Sequence, residues 1–447
     1  MPSELIVSVS GIRGIIGDSL TPEAASRFAA ALGTFLKGGR VILGRDSRPS
    51  GEMLKHSVMA GLFSVGCTVE DIGIASTPTV GLAVQLSGAA GAIQITASHN
   101  PAPWNGLKLF GGDGAVLPAS QGLHVQRLYE LGEFDRVPWD RVGAVTVSPE
   151  ILERHCERVT DLVSPSKIAG RGFKVLLDGN GGAGGPLGIR LLRELGVEVV
   201  EHNCETNGIF AHEPEPIPAH LRDVAPWVKQ TESAVGFVLD PDSDRLALID
   251  ENGDCVSEEL TLALAVKFRL RQQSGPVVVN MSTSRTIQDL ADAAGCAFYR
   301  TAVGEANVVE GIRRYSAVIG GEGNGGVIDP RIGWVRDPFI GMGLILNLMA
   351  EEKKSLSQLI AELPKYEMRK TKFTVAKSAL PAALAAIEKN WPAAHANKLD
   401  GLRLDGEDWW LHVRASNTEP IIRVIAEAPT AERVEALCAE AGALLPK

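Results

Sequence analysis

The chain has 447 residues, 45% of them hydrophobic and 22% charged, with a formal net charge of −10. That length exceeds one ordinary core and sets an expectation of three or four domains in a soluble globular protein. The acidic balance argues against a nucleic-acid or anionic-membrane partner, although a locally positive cleft can still take a phosphorylated small molecule.

The N-terminal Met1-Pro2-Ser3-Glu4-Leu5 lacks the basic and apolar regions of a signal peptide. No apolar run is long enough to span a bilayer. The six cysteines are scattered with no CxxC pair, as expected for reduced thiols. A cytoplasmic location is the expectation.

Thr21-Pro22-Glu23 is a good cap and first turn for a helix carrying Phe28, Leu32, Phe35 and Leu36 on one face. An apolar strand at 41–46 follows and runs into a Gly- and Ser-rich loop. A second strand is predicted at 68–74. A third, Gly91-Ala92-Ile93-Gln94-Ile95, leads into Thr96-Ala97-Ser98-His99-Asn100-Pro101. The plan repeats with strands at 175–180 and 197–203 and a third running into Asp240-Pro241-Asp242-Ser243-Asp244-Arg245. It repeats again at 277–282 and 297–302, the third strand ending in Gly321-Glu322-Gly323-Asn324-Gly325-Gly326. Such alternation predicts α/β layers, with the chemistry in loops at the carboxyl ends of strands. The last eighty or so residues change character. Strands at 373–376, 402–404, 409–413 and 421–425 and helices at 380–389 and 431–445 predict a small α+β domain.

Ser98 sits in a tight loop at a strand's end, where a nucleophile is exposed and held still. An ordinary turn reads equally well from those letters alone. Ser98 lacks a G-x-S-x-G elbow, and neighbouring side chains usually diverge, which argues against a Ser98–His99 acyl-transfer pair. Asp240, Asp242 and Asp244 repel one another unless a cation neutralises them, and all-oxygen ligation favours Mg²⁺, Mn²⁺ or Ca²⁺. An EF-hand fails because Arg245 stands where that loop needs glycine. Arg245 suits a second anion such as a phosphoryl group.

Gly179-Asn180-Gly181-Gly182-Ala183-Gly184 fits G-x-G-x-x-G, with Glu198 placed for a ribose. Any Gly-rich strand–helix turn also satisfies it, and a structural turn is the preferred reading. Glu322 on its permissive glycine backbone suits sugar hydroxyls. Arg414-Ala415-Ser416-Asn417-Thr418-Glu419-Pro420, followed by Arg423, suits a phosphate that is held without being transferred. Arg13 and Lys108, in Asn105-Gly106-Leu107-Lys108, are further candidate cations.

Taken together and in order, these four motifs resemble the α-D-phosphohexomutase family over nearly the whole chain. Thr96 to Pro101 with Asn105 to Lys108 looks like its phosphoserine loop, Asp240 to Arg245 its metal loop, Gly321 to Gly326 its sugar loop and Arg414 to Pro420 its phosphate loop. The resemblance implies an α/β fold: three similar α/β domains with mixed sheets and a smaller C-terminal α+β domain, around a central cleft. The expected bounds are 1–150 (phosphoserine), 151–253 (metal), 254–368 (sugar) and 369–447 (phosphate-binding lid).

The resemblance also implies an isomerase that interconverts hexose 1- and 6-phosphates through phosphorylated Ser98 and a 1,6-bisphosphate. Ser98, Asp240, Asp242 and Asp244 would hold Mg²⁺, with hexose 1,6-bisphosphate as activator. Arg13, His99, Lys108 and Arg245 would surround the transferring group, with Lys108 first and His99 second as general acid/base. Thr301, Gly304, Glu322 and Asn324 would contact the sugar. Arg414, Ser416, Asn417, Thr418 and Arg423 would clamp the distal phosphate. The expected partner is a small sugar phosphate, with no nucleic acid or membrane, for a monomer or homodimer.

Many members carry Gly-Glu-x-Ser-Gly-His in the sugar loop. Asn324 and Gly326 depart from that and resemble the archaeal-type branch. Phosphoglucosamine mutase is therefore the leading reading and phosphomannomutase/phosphoglucomutase the alternative. A metal-dependent sugar phosphatase is more distant, since it has no need of a second phosphate clamp.

Overall fold

The computed structural model of the chain describes residues 5–8, 11–148, 150–374, 379–415 and 421–445. Three parallel motifs share one strand order. The strand Arg40–Arg45 lies between Gly91–Ile95 and Thr68–Ile74, with Val41 opposite both Gly91 and Val69. Lys174–Asp178 lies between Val235–Leu239 and Glu198–His202. Val277–Asn280 lies between Ile319–Glu322 and Phe298–Thr301. The third strand of each repeat thus borders the first, and the second lies on the other side.

The central strands read as continuous apolar runs because both their faces are covered. Val41, Ile42 and Leu43 are fully buried, as are Val175, Leu176 and Leu177. The sheets are mixed. Trp104–Gly111 runs antiparallel beside Gly91–Ile95, and Leu246–Asp250 runs antiparallel beside Val235–Leu239.

The chain gathers into two compact units. One extends to Arg269 and includes Asn324–Ala361; the other is Leu270–Gly323 with the chain from Glu362 onward. In the first, the helix Pro22–Phe35 begins where the capping sequence predicts. Thr21 Oγ1 accepts from the Ala24 amide at 3.3 Å, and Pro22 occupies the first turn. Its Phe28 and Leu32 share a fully buried core with Leu54, Val58 and Leu62 of the helix Gly51–Phe63.

The second unit holds the third set of parallel strands and a five-stranded antiparallel sheet. That sheet's order is Glu367–Thr374, Ile421–Ala428, Trp410–Ala415, Leu402–Asp405, His395–Asn397. Leu411 and Val413 point into a core shared with Ile387 and Leu437 of the helices Leu380–Asn390 and Ala431–Ala443. His412 and Arg414, at alternate positions, belong to the opposite face. The strand expected at 373–376 begins earlier, at Glu367, and pairs over eight residues; residues 375–376 lie outside the described residues. The six cysteines are free thiols. Among the described residues, no helix is long and apolar enough to cross a membrane.

Candidate active site

The fully buried strand Gly91–Ile95 delivers the chain into the serine loop. Ser98 takes a left-handed φ of +53° and is 2% exposed. Its amide donates to Thr96 Oγ1 at 2.8 Å, and Thr96 Oγ1 donates to Asp46 Oδ2 at 2.7 Å. Arg48, fully buried, pairs with Asp46 and donates through Nη2 to the carbonyls of Ser98 (2.9 Å) and Asn100 (2.5 Å). Burial pushes the Asp46 carboxyl up, and Arg48 opposes that. The loop's backbone is fixed from behind, and the serine side chain is left for other work.

Contrary to the expected divergence, Ser98 Oγ lies 3.3 Å from His99 Nδ1. Arg245 Nη2 reaches the same nitrogen at 3.0 Å. A guanidinium only donates, so Nδ1 holds its lone pair. The Arg245 charge first, then burial, then Arg13 hold the His99 pKa well below its ordinary value. A neutral ring whose acceptor is already engaged by Arg245 is a poor base for Ser98. Arg13 Nη1 donates to Asn100 Oδ1 at 3.3 Å, and burial lowers its pKa.

Asp240, Asp242 and Asp244 connect the antiparallel strands Val235–Leu239 and Leu246–Asp250 and are all fully buried. One oxygen of each carboxylate is spent on the protein. Asp240 Oδ1 accepts from the amides of Asp244 (3.0 Å) and Arg245 (3.1 Å). Asp242 Oδ2 accepts from Thr77 Oγ1 (2.6 Å) and Lys108 Nζ (3.0 Å). Asp244 Oδ2 accepts from Lys108 Nζ (2.9 Å) and Arg336 Nη2 (2.6 Å). The other oxygens, Asp240 Oδ2, Asp242 Oδ1 and Asp244 Oδ1, are buried without a hydrogen-bond partner.

One oxygen from each carboxylate falls within a common 4.8 Å, so the group can hold a metal ion. Burial and then the charges of Asp244 and Asp242 push Asp240 well above the ordinary carboxyl range. Burial would raise Asp244 too, but Arg336, Lys108 and Arg245 together outweigh it and hold the carboxyl far below that range. Orphaned anionic oxygens cost free energy that a divalent cation removes, so the donor set fits a hard cation.

In the second unit, Glu322 is 5% exposed and its Oε1 accepts from Asn280 Nδ2 (2.8 Å) and the Gly304 amide (3.1 Å). Thr301 Oγ1 donates to the Ala302 carbonyl at 3.1 Å. Asp400 Oδ2 accepts from the Val303 amide at 3.0 Å and lies 3.1 Å from Arg414 Nε. The residues expected to read the sugar and those expected to hold a phosphate therefore meet through Asp400. Arg414 stands directly opposite Arg423, and Arg423 opposite Lys372, in the antiparallel register. Like charges in register repel, which suits a surface built for an anion. Ser416, Asn417 and Thr418 lie outside the described residues.

Sequence models for the four domains of phosphoglucomutase/phosphomannomutase match this chain in order: domain I at residues 5–136, domain II at 153–253, domain III at 257–366 and the C-terminal domain at 371–443. The chain belongs to the phosphoglucomutase/phosphomannomutase family. It is 35% identical to a protein of Methanopyrus kandleri named probable phosphoglucosamine mutase, over 96% of this chain and 95% of that one. It is 38% identical to a Thermococcus kodakarensis protein named phosphoglucomutase/phosphomannomutase, over 95% and 94%. The crystal structure of a phosphoglucomutase/phosphomannomutase family protein from Burkholderia thailandensis superposes with a TM-score of 0.87 at 26% identity, over 99% of this chain and 97% of that one. The enzyme is thus a phosphohexomutase, an isomerase that transfers a phosphoryl group within a sugar phosphate.

Four side chains of this phosphohexomutase site escape a reading of motifs. Asp46 and Arg48 brace the serine loop, and Thr77 and Arg336 support the carboxylates. Asp46 and Arg48 follow the carboxyl end of the first strand, the address that should have drawn attention. Arg336 carries no such signal. Its route does explain Gly326, where a Cβ would lie 2.3 Å from Arg336 Cδ. Asn324 belongs to the same compact unit as Arg336, and its Oδ1 is buried without a hydrogen-bond partner.

Proposed function

We propose that this phosphohexomutase acts on glucosamine phosphate, interconverting the 6- and 1-phosphates with Ser98 as phosphoryl carrier. The observation that carries the reaction type is the set of three buried carboxylates, each with one orphaned oxygen. They lie beside a serine whose loop is fixed from behind. The path from one to the other is short: Ser98 Oγ to His99 Nδ1 is 3.3 Å, that nitrogen to Arg245 Nη2 is 3.0 Å, and Arg245 Nε to Asp244 Oδ1 is 3.9 Å.

Asp240, Asp242, Asp244 and the phosphorylated Ser98 would hold Mg²⁺, which supplies positive charge against the transferring phosphoryl group. The Ser98 O–P bond breaks as the free sugar hydroxyl forms its own O–P bond. Lys108 is the first candidate for the general acid/base, able to take the sugar's proton only in its deprotonated form, and His99 is the second. The resulting 1,6-bisphosphate turns over and returns its other phosphate to Ser98, and added hexose 1,6-bisphosphate would recharge an unphosphorylated serine. Arg13 and Arg245 stabilise the spreading anionic charge. In the division 1–150, 151–253, 254–368 and 369–447, the last two parts read the sugar through Thr301, Gly304, Glu322 and Asn324. They hold the second phosphate through Arg414, Ser416, Asn417, Thr418 and Arg423.

Substrate choice rests on the relatives' names and on Asn324 and Gly326 in the sugar loop. The Thermococcus relative's name supports the second reading, a phosphoglucomutase/phosphomannomutase. Rates on glucosamine, glucose and mannose 1-phosphates, with Mg²⁺ and a trace of hexose 1,6-bisphosphate, separate the two. A dominant glucosamine rate is expected; a dominant glucose or mannose rate transfers the assignment. Ser98→Ala should lose activity by more than about a thousandfold. Release of inorganic phosphate in place of isomer would make the protein a phosphatase.

A further inference from the structure

The glycine run Gly179 to Gly184 is not a dinucleotide cradle here, because a loop of the same domain lies on it. Residues 205–217 leave the strand Glu198–His202 and cross this turn. The Gly208 amide donates to the Gly181 carbonyl at 3.0 Å. Gly181 has a φ of +65°, and a Cβ there would lie 2.4 Å from the Ile209 carbonyl oxygen. Asn180, fully buried, accepts through Oδ1 from the amides of Ala211 (2.8 Å) and His212 (3.2 Å), and its Nδ2 donates to the His212 carbonyl at 3.3 Å.

The loop so fastened touches the reaction site at two arginines. Phe210 faces the Arg48 guanidinium at 4.9 Å, on the residue that holds the Ser98 and Asn100 carbonyls. Glu215 Oε1 lies 3.5 Å from Arg245 Nη1. Arg245 is otherwise drawn to His99 Nδ1 and to Asp244 Oδ1, 3.9 Å from its Nε. Asp244 Oδ1 is one of the three orphaned oxygens. A guanidinium settled on it would take the place of the cation.

We infer that residues 205–217 form a positioning strap, in which Glu215 holds Arg245 off Asp244 Oδ1 and Phe210 seats Arg48 behind the serine loop. The inference rests on the carboxylate cluster being the cation site. Glu215 is a positioning residue, since it acts only through Arg245. Its side chain is 42% exposed, so removing its charge should cost the fold little.

The test is calorimetric titration of Mn²⁺ into the full chain as wild type, E215Q, E215D and D242N, with melting temperatures taken without metal. The expected result is unchanged melting for E215Q, Mn²⁺ affinity lowered about fivefold, and recovery in E215D. F210L should lower kcat with little change in KM. Wild-type binding that D242N abolishes and E215Q leaves intact would overturn the strap while keeping the cation site. Absence of Mn²⁺ binding by the wild type would overturn the cation site and the strap with it.

Discussion

Arg336 Nη2 lies 2.6 Å from Asp244 Oδ2, joining two residues 92 positions apart in the sequence, each nearly or fully removed from solvent. Lys108 Nζ donates to the same oxygen at 2.9 Å. Two cations from separate parts of the chain therefore hold one carboxylate ionised in a place where burial alone would protonate it.

Breaking that pair should be costly, because it leaves a buried carboxylate short of one partner. Arg336→Met is expected to destabilise by about 3 kcal/mol, and Arg336→Lys by less. Thermal melting measures both. A melting temperature for Arg336→Met equal to that of the wild type would mean that Lys108 alone balances Asp244.

The orphaned carboxylate oxygens predict that a divalent cation stabilises the fold. Magnesium at a hundred times its dissociation constant should add about 2.7 kcal/mol, seen as a higher melting temperature that a chelator reverses. Asp240→Asn and Asp242→Asn should abolish the response. Equal responses in wild type and both variants would place the cation elsewhere.

His412 predicts an acid limb in stability. Its Nε2 donates to the Asp400 carbonyl at 2.7 Å and its Nδ1 accepts from Ser282 Oγ at 2.9 Å, so the ring is held neutral. Burial pulls its pKa down to about 4; the hydrogen bond to the Asp400 carbonyl opposes this, and the charges of Arg403 and Arg414 add to it. The unfolded chain then binds the extra proton between the ordinary value of 6.5 and about 4. Stability is full above the first value and falls as the pH drops through that window, by about 3 kcal/mol in all. His412→Gln should flatten this limb in pH-dependent melting; an unchanged limb would assign it to other groups.

The repeated α/β plan was legible because central parallel strands are apolar on both faces and end in conspicuous polar loops. The serine and aspartate loops stand out for the same reason: their candidate residues are concentrated in a few consecutive positions. Glu367–Thr374 was harder to see. It is an edge strand carrying Arg369, Lys370 and Lys372, so no apolar run marks its start. Arg336 was invisible, since a single arginine far along the chain has no pattern until the fold brings it to Asp244. The strap hid for a related reason, as Phe210 and Glu215 act across a loop with no periodicity. The glycine run beneath it fits a nucleotide pattern, but the structural turn preferred from the sequence agrees with its packing, where Gly181 has no room for a Cβ.

In each repeat, the loop that carries the distinctive chemistry leaves the strand that borders the first one: Gly91–Ile95, Val235–Leu239 and Ile319–Glu322. Under the proposed function, one architectural address would serve three separate jobs. Such a layout lets the duties drift independently. Under that same function, a substitution at the address that would meet the sugar need not disturb the two that would handle phosphorus.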